Sequence, residues 1–362
     1  MQQVASFAVE RTAYLDADGS SVERLPAFAG DRDELVRLYR SMVLTRTFDA
    51  KAVALQRTGR LGTFASSLGQ EAVSVGIGAA MRAEDVLVPS FREQGAQILR
   101  GVTLEEIFAY WGGDERGSDF AGPREDFPIC VPVGTQAAHA AGVALAFRLR
   151  REPRVAVCVM GDGATSKGDV YEAMNAAGVW RLPVVFVVNN NEWAISVPRS
   201  RQTATKTLAQ KAIAAGFEGE QVDGNDVIAV RAVMERALAL ARDERQPRLI
   251  EALTYRLSDH TTADDARRYR DDKEVSERWK AEPVGRLRGF LVAREWWSKG
   301  DEEKMLAECA REVDAAAEAY LARSDQPATA MIDHVFAELP AAMEGQRSAI
   351  AALGARAGGE GR

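Results

Sequence analysis

The run Val155–Ser196 (VAVCVMGDGATSKGDVYEAMNAAGVWRLPVVFVVNNNEWAIS) constrains what this chain can fold into more than any other stretch. A buried strand ends in a Gly161-Asp162-Gly163 turn. A helix follows, then a second buried strand that ends in Asn189-Asn190-Asn191. A glycine turn at a helix start lets phosphate approach outward-pointing backbone N–H groups. Mg²⁺ takes oxygen ligands in an octahedron and commonly shares them with phosphate. If the two strands are parallel neighbours, the Asp162 carboxylate and the Asn191 amide reach one crevice outside the strand C-termini, where open α/β sheets bind ligands.

A bare Gly-Asp-Gly is weak evidence, and three other readings compete with it. The dinucleotide fingerprint needs a third glycine where this chain has Ser166, and an acid at the end of the second strand where it has asparagines. The phosphate loop of nucleotide hydrolases needs Gly-Lys-Ser/Thr, and Ser166-Lys167-Gly168 reverses that order. The bland reading is a structural turn. Against it stand three consecutive asparagines after an apolar strand, because buried amides need partners.

Composition supplies exclusions. Net charge is −7 without a dense Lys/Arg stripe, which argues against a nucleic-acid partner. No apolar stretch approaches the roughly 20 residues of a membrane span. The opening MQQVASFAVERTAYLDADGSS lacks a basic region followed by an apolar core, so no secretory signal is expected. Cys130, Cys158 and Cys309 are scattered, and Cys158 lies inside an apolar strand. A reducing cytoplasm without a disulfide framework is the expectation.

Strands alternating with helices predict an α/β fold, a parallel sheet with helices on both faces, followed by a C-terminal helical layer. Residues 1–30 read as an N-terminal arm, 31–273 as the α/β domain, 274–353 as the helical layer and 354–362 as a flexible tail. Asp31 with Glu34 reads as a capping-box variant that opens a helix stopping near Gly59. Helices are also expected over 69–81, 103–111, 135–150 and 226–243, and strands over 85–89, 217–222 and 249–255. Residues 112–128 and 258–273 read as loops, the latter polar and at the surface. Val275–Ala322 and Met331–Leu353 read as helices. Of three histidines, His139 is expected to be packed or capped and His334 structural, whereas His260 stands in a polar loop with no core to join.

The Gly-Asp-Gly … Asn-Asn spacing resembles the binding motif of thiamine-diphosphate enzymes. Further segments occur with it in order: Gly59-Arg-Leu-Gly62, Gly69-Gln-Glu-Ala72, Phe91-Arg92, Gly134-Thr-Gln136, Asn190-Asn191-Glu-Trp-Ala-Ile-Ser196, Val222-Asp-Gly224 and Tyr255-Arg256 … His260 … Asp264-Asp265 … Tyr269-Arg270. Over roughly residues 35–340 the chain resembles the α subunit of the decarboxylating first component of 2-oxo acid dehydrogenase complexes. The ordered set is far more specific than any member of it.

The resemblance implies a thiamine-diphosphate-binding fold. It implies Mg²⁺ held by Asp162, Asn191 and the backbone carbonyl of Trp193, with Gly163 and Ala164 touching the diphosphate. It places Arg92 on phosphate, Phe91 against the cofactor in a position often held by Tyr, and the Val131 and Val133 carbonyls on the aminopyrimidine ring. Thr135 and Gln136 match a monovalent-cation site of some relatives. His260 corresponds to a histidine that stabilises and protonates intermediates, a role suited to an imidazole titrating near ~6.5.

The same resemblance implies oxidative decarboxylation of a 2-oxo acid, with the acyl group passing to a lipoyl group on an acyltransferase second component. A catalytic glutamate is then expected from a separate β subunit in an α₂β₂ heterotetramer. Gln202–Ala212 and the Gly134–Leu145 stretch resemble bacterial pyruvate-type subunits. Residues 255–265 and Val222–Asp226 also suit branched-chain relatives acting on 3-methyl-2-oxobutanoate. A pocket difference of one methylene is worth only ~1–3 kcal/mol, so loop wording does not separate the two. A nicotinamide-dependent oxidoreductase and a non-catalytic subunit are the remaining alternatives.

Overall fold

The computed structural model describes residues 1–21 and 24–359, with the backbone alone for 354–359. The chain opens with β1 (Arg11–Thr12), α1 (Arg32–Arg57), α2 (Glu71–Ala80), β2 (Val86–Val88), α3 (Gln94–Leu99) and α4 (Leu104–Trp111). The centre holds α5 (Thr135–Arg150), β3 (Ala156–Gly161), α6 (Gly168–Val179), β4 (Val184–Asn190), the hairpin strands β5 (Trp193–Ala194) and β6 (Val197–Pro198), and the short helices α7 (Arg199–Gln202) and α8 (Lys211–Ala214). Then come β7 (Glu218–Asp223), α9 (Val227–Asp243) and β8 (Arg248–Leu253). The chain closes with α10 (Asp272–Trp279), α11 (Pro283–Ala293), α12 (Lys299–Leu321), α13 (Ala330–Asp333) and α14 (Ala341–Gly359).

Six strands form one sheet in the order β1-β7-β8-β4-β3-β2, and every pair in it is parallel. Side chains of a strand alternate between faces, so a strand apolar throughout must be covered twice. Ala156, Cys158, Met160, Val184, Phe186 and Val188 pack on one side with α5 and α6. Val157, Val159, Val185 and Val187 pack on the other with α2 and α9. The expected α/β fold with helices on both faces is the fold observed. A third core joins α1 and α4 to α11 and α12 through Met42, Phe48, Phe108, Leu287 and Cys309. The C-terminal helices therefore share their core with the first long helix.

Several expectations need amending. Residues 1–30 are more than an arm: Arg11 and Thr12 pair with Gln221 and Val222 at the sheet edge. The Tyr14 and Leu15 amides donate to the Asp226 carboxylate at 2.7 and 2.8 Å. Asp31 caps α1, accepting from the Asp33 and Glu34 amides, but Glu34 does not return the bond and pairs with Arg37 and Arg231 instead. The span Val275–Ala322 is three helices. Glu282 caps a new start with Pro283 in its first turn, and Glu295 turns left-handed (φ 57°) before Ser298 and Asp301 form a capping box. Met331–Leu353 is likewise α13 and α14, parted around Pro340. Helix α14 extends through Gly359, into the expected tail, and 360–362 lie outside the described residues.

Candidate functional site

The register of β3 and β4 pairs Gly161 with Asn189. Asp162 and Asn191 thus leave the C-terminal tips of hydrogen-bonded neighbours, on strands spaced ~4.8 Å apart. Both are buried. The three asparagines divide the work. Asn189 accepts from the Thr254 hydroxyl at 2.8 Å, and the Asn190 amide donates to Glu251 at 2.7 Å. Both bind the tip of β4 to β8. Asn191 alone faces the crevice residues, donating to Gln70 Oε1 at 2.9 Å while its own Oδ1 accepts from the Trp193 amide at 3.2 Å.

Asp162 is 1% exposed, and among the described residues it forms no ion pair. Its one side-chain donor is Gln202, whose Nε2 lies 2.5 Å from Oδ2. Burial pushes its carboxyl above the usual range, with the Gln202 hydrogen bond opposing the shift. The turn after it holds Gly163 so close to the β5 strand that a Cβ there would meet Ala194 Cβ at 2.6 Å. Only glycine lets the turn and the hairpin touch. Buried Lys211 donates to the carbonyl and hydroxyl of Thr165 at 2.7 and 2.9 Å, fixing the far side of the turn.

His260 sits in a loop that the sequence suggests is a polar surface loop; instead it folds inward. Ala266 is buried, and Tyr269 and Val275 pack beside Trp193, Tyr255 and Leu257. Arg92 Nη2 lies 3.1 Å from His260 Nδ1 and 2.7 Å from its carbonyl, and Arg256 Nη1 lies 3.4 Å from the same Nδ1. Guanidinium groups only donate, so Nδ1 is the acceptor and the ring proton is on Nε2. Burial, then Arg92 and Arg256, pull the imidazole down to about 4. Arg92 is itself lowered to about 10, by burial and by Arg256. Its Nη1 donates to the Ser66 carbonyl, and it lies over the Phe91 ring at 5.2 Å. Phe91 in turn meets the imidazole edge-on at 6.2 Å.

Trp193 is buried on the hairpin, and its carbonyl accepts from Arg256 Nη1 at 3.3 Å. Ala164 is buried within the turn. Val131 and Val133 are 51% and 49% exposed. Their segment is tied to Ser90 through the Cys130 amide, and it ends at Gly134 (φ +87°), where a Cβ would crowd the Lys167 and Val170 side chains. Gln136 donates to the Cys130 carbonyl at 2.7 Å, leaving its own Oε1 buried without a partner. His139, expected to be packed or capped, is exposed beside Phe127, since the face of α5 it occupies looks outward. His334 is exposed after α13. The cysteines are free, and Cys158 is buried as expected.

Sequence reasoning assigns no role to Gln70, Gln202 or Arg256, the residues that touch Asn191, Asp162 and the Trp193 carbonyl. All three lie within segments that carry the resemblance, Gln202 at the start of the stretch 202–212, which was the available signal. Each of the three also keeps one buried polar atom without a partner: Gln70 Nε2, Gln202 Oε1 and Arg256 Nε. Buried polar atoms are ordinarily paired, so these three, each on a residue bonded to Asn191, Asp162 or the Trp193 carbonyl, have capacity left for an additional polar group. Among the described residues no cluster of His, Cys, Asp and Glu side chains could hold a metal. The donor set here is different: one carboxylate, one amide oxygen and one backbone carbonyl, hard oxygen donors that suit Mg²⁺.

Fold and site together define an α/β protein that brings a carboxylate and an amide to the tips of neighbouring parallel strands, with a cationic pair facing a histidine. Residues 39–328 match the family model described as "Dehydrogenase E1 component". The chain is 43% identical over 320 residues to the 3-methyl-2-oxobutanoate dehydrogenase subunit alpha of Mycobacterium tuberculosis (strain ATCC 25618 / H37Rv), covering 88% of this chain and 87% of that one. It is 38% identical over 307 residues to the pyruvate dehydrogenase E1 component subunit alpha of Mycoplasma genitalium, covering 85% and 86%. The protein of that name from Staphylococcus aureus (strain Mu50 / ATCC 700699) is 37% identical over 333 residues, covering 91% and 90%. The chain belongs to the dehydrogenase E1 component family.

Proposed function

We propose that this chain is the α subunit of a thiamine-diphosphate- and Mg²⁺-dependent 2-oxo acid dehydrogenase first component, acting on pyruvate. The observation that carries the reading is the buried Asp162 carboxylate, which forms no ion pair among the described residues, next to the Asn191 amide on the neighbouring strand tip. Asp162, Asn191 and the Trp193 carbonyl would hold the cation. Gly163 and Ala164 would lend backbone contacts to the diphosphate, and the Val131 and Val133 carbonyls would hold the aminopyrimidine. When bound, thiamine diphosphate supplies the electron sink that lets a 2-oxo acid lose CO₂.

The chain's own groups do the rest. Arg92 and Arg256 bring two buried positive charges toward an incoming anion. The same guanidinium pair keeps His260 neutral and its Nε2 proton directed away from them. That proton can be exchanged with a reacting oxygen, the general acid–base role of an imidazole. A bound diphosphate would offset the two cations and raise the imidazole toward its ordinary range.

The relatives are named alpha subunits, so a β subunit is proposed to supply the carboxylate for the aminopyrimidine in an α₂β₂ assembly. A lipoyl-bearing acyltransferase would receive the acyl group, and the proposed compartment is the cytoplasm. A second reading, 3-methyl-2-oxobutanoate as substrate, is favoured by the 43% identity to a subunit of that name. Steady-state turnover of the two acids by the coexpressed α and β chains separates the readings. The larger kcat/KM is expected for pyruvate, with no turnover by the α chain alone. Turnover of neither acid by the pair overturns the proposal.

A further inference from the structure

The donor to Asp162 comes from a segment with no role assigned so far. Gln202 ends α7, directly after the hairpin of β5 and β6. Its Nε2 makes two bonds, to Asp162 Oδ2 at 2.5 Å and to the Val197 carbonyl at 3.1 Å. Both amide protons are thereby used, and the amide cannot rotate without losing one bond. The Ser166 hydroxyl is 3.5 Å from the Gln202 carbonyl, a weaker tie between the same two segments. Val197 pairs with Ala194, and Ala194 follows Trp193. The Gln202 amide therefore bridges the β3 tip, which carries Asp162, to the hairpin, which carries the Trp193 carbonyl. Among the described residues no other side chain donates to the Asp162 carboxylate, so Oδ1 is left without a side-chain partner.

We propose that Gln202 is a positioning residue for the cation: by holding Oδ2 of Asp162 it presents Oδ1 as the ligand and sets its placement relative to the Trp193 carbonyl. The inference rests on the reading of Asp162 as a magnesium ligand given above. Carboxylates that ligate metals are themselves hydrogen-bonded, and loss of such an outer partner costs ~10–100-fold in metal affinity. The opposite arrangement, in which the amide occupies the cation's own place, predicts the opposite sign. An occupant must leave before the cation enters, so deleting it would tighten binding.

The test is calorimetric titration of Mg²⁺ into the coexpressed α and β chains at saturating thiamine diphosphate. It compares wild type with Gln202→Met, which keeps the length and removes the donor. Gln202→Asn keeps an amide on a chain too short to reach and serves as the second variant. Both variants are expected to need roughly 10–100-fold more Mg²⁺ for half saturation at unchanged stoichiometry, with a melting temperature without cofactor near that of wild type. Unchanged or lower Mg²⁺ demand in either folded variant overturns the inference. Absence of Mg²⁺-dependent binding in wild type overturns the functional reading itself, so the two failures are told apart.

Discussion

Two aspartates stand at opposite ends of the same sheet, and the contrast between them locates the site. Asp85 immediately precedes β2; Asp162 immediately follows β3. Each is 1% exposed. Asp85 is fully answered by the protein: Arg242 pairs with it at 2.7 Å, and the Val155 and Arg82 amides donate at 3.0 and 2.9 Å. Asp162 has one side-chain donor and, among the described residues, no ion pair, with Arg256 acting on it only at longer range. A buried charge is tolerated when it is paired and costs several kcal/mol when it is not. Equal burial with unequal satisfaction separates a carboxylate that holds the fold from the one proposed above to take a ligand.

The largest effect is expected from exchanging the two. Asp85→Ala strands the buried Arg242 guanidinium and should lower stability by ~3–5 kcal/mol in urea unfolding. Asp162→Asn removes a buried charge that forms no ion pair among the described residues and should leave stability equal or higher. Equal losses at both positions would erase the distinction. Next in size is Gly163→Ala, whose methyl meets Ala194 at 2.6 Å and forces the turn and hairpin apart. A cost of ~1–3 kcal/mol is expected, with weakened cofactor binding, and Ala194→Gly should restore part of both. No rescue would mean that the turn tolerates the methyl for another reason.

A smaller effect separates the two ends by pH. The His260 imidazole is held at about 4 in the folded chain. In the unfolded chain it titrates near ~6.5. The folded value is the lower one, so this group's stabilising contribution is complete above pH ~6.5 and lost as pH falls toward 4. His260→Gln should flatten the stability curve over that window, read from urea midpoints at each pH. An identical slope in the variant would remove the two guanidiniums from the account of this histidine.

The same contrast explains what the sequence could and could not convey. The strands and their tips were legible because apolar runs ending in Gly-Asp-Gly and in asparagines state a local fact. The caps of α9 by Asp226 and of α4 by Thr103 are local as well. The breaks at Glu282-Pro283 and around Pro340 were legible in the same terms, but a long helical periodicity masks them. Pairing is another matter. Arg242 reaches Asp85, Gln70 reaches Asn191, and Arg92 reaches His260 across long stretches of chain. No spacing rule links such positions. Sequence alone therefore names Asp162 and Asn191 but not that Asn189 and Asn190 are tied to β8, nor that His260 is half-buried beside two arginines.

The most direct test of the account is a titration of thiamine diphosphate into the coexpressed α and β chains, with Mg²⁺ and with EDTA, for wild type and Asp162→Ala. The account predicts saturable binding in wild type that disappears with EDTA and with the substitution. Binding of equal strength in all these conditions, or none in wild type with Mg²⁺, contradicts it.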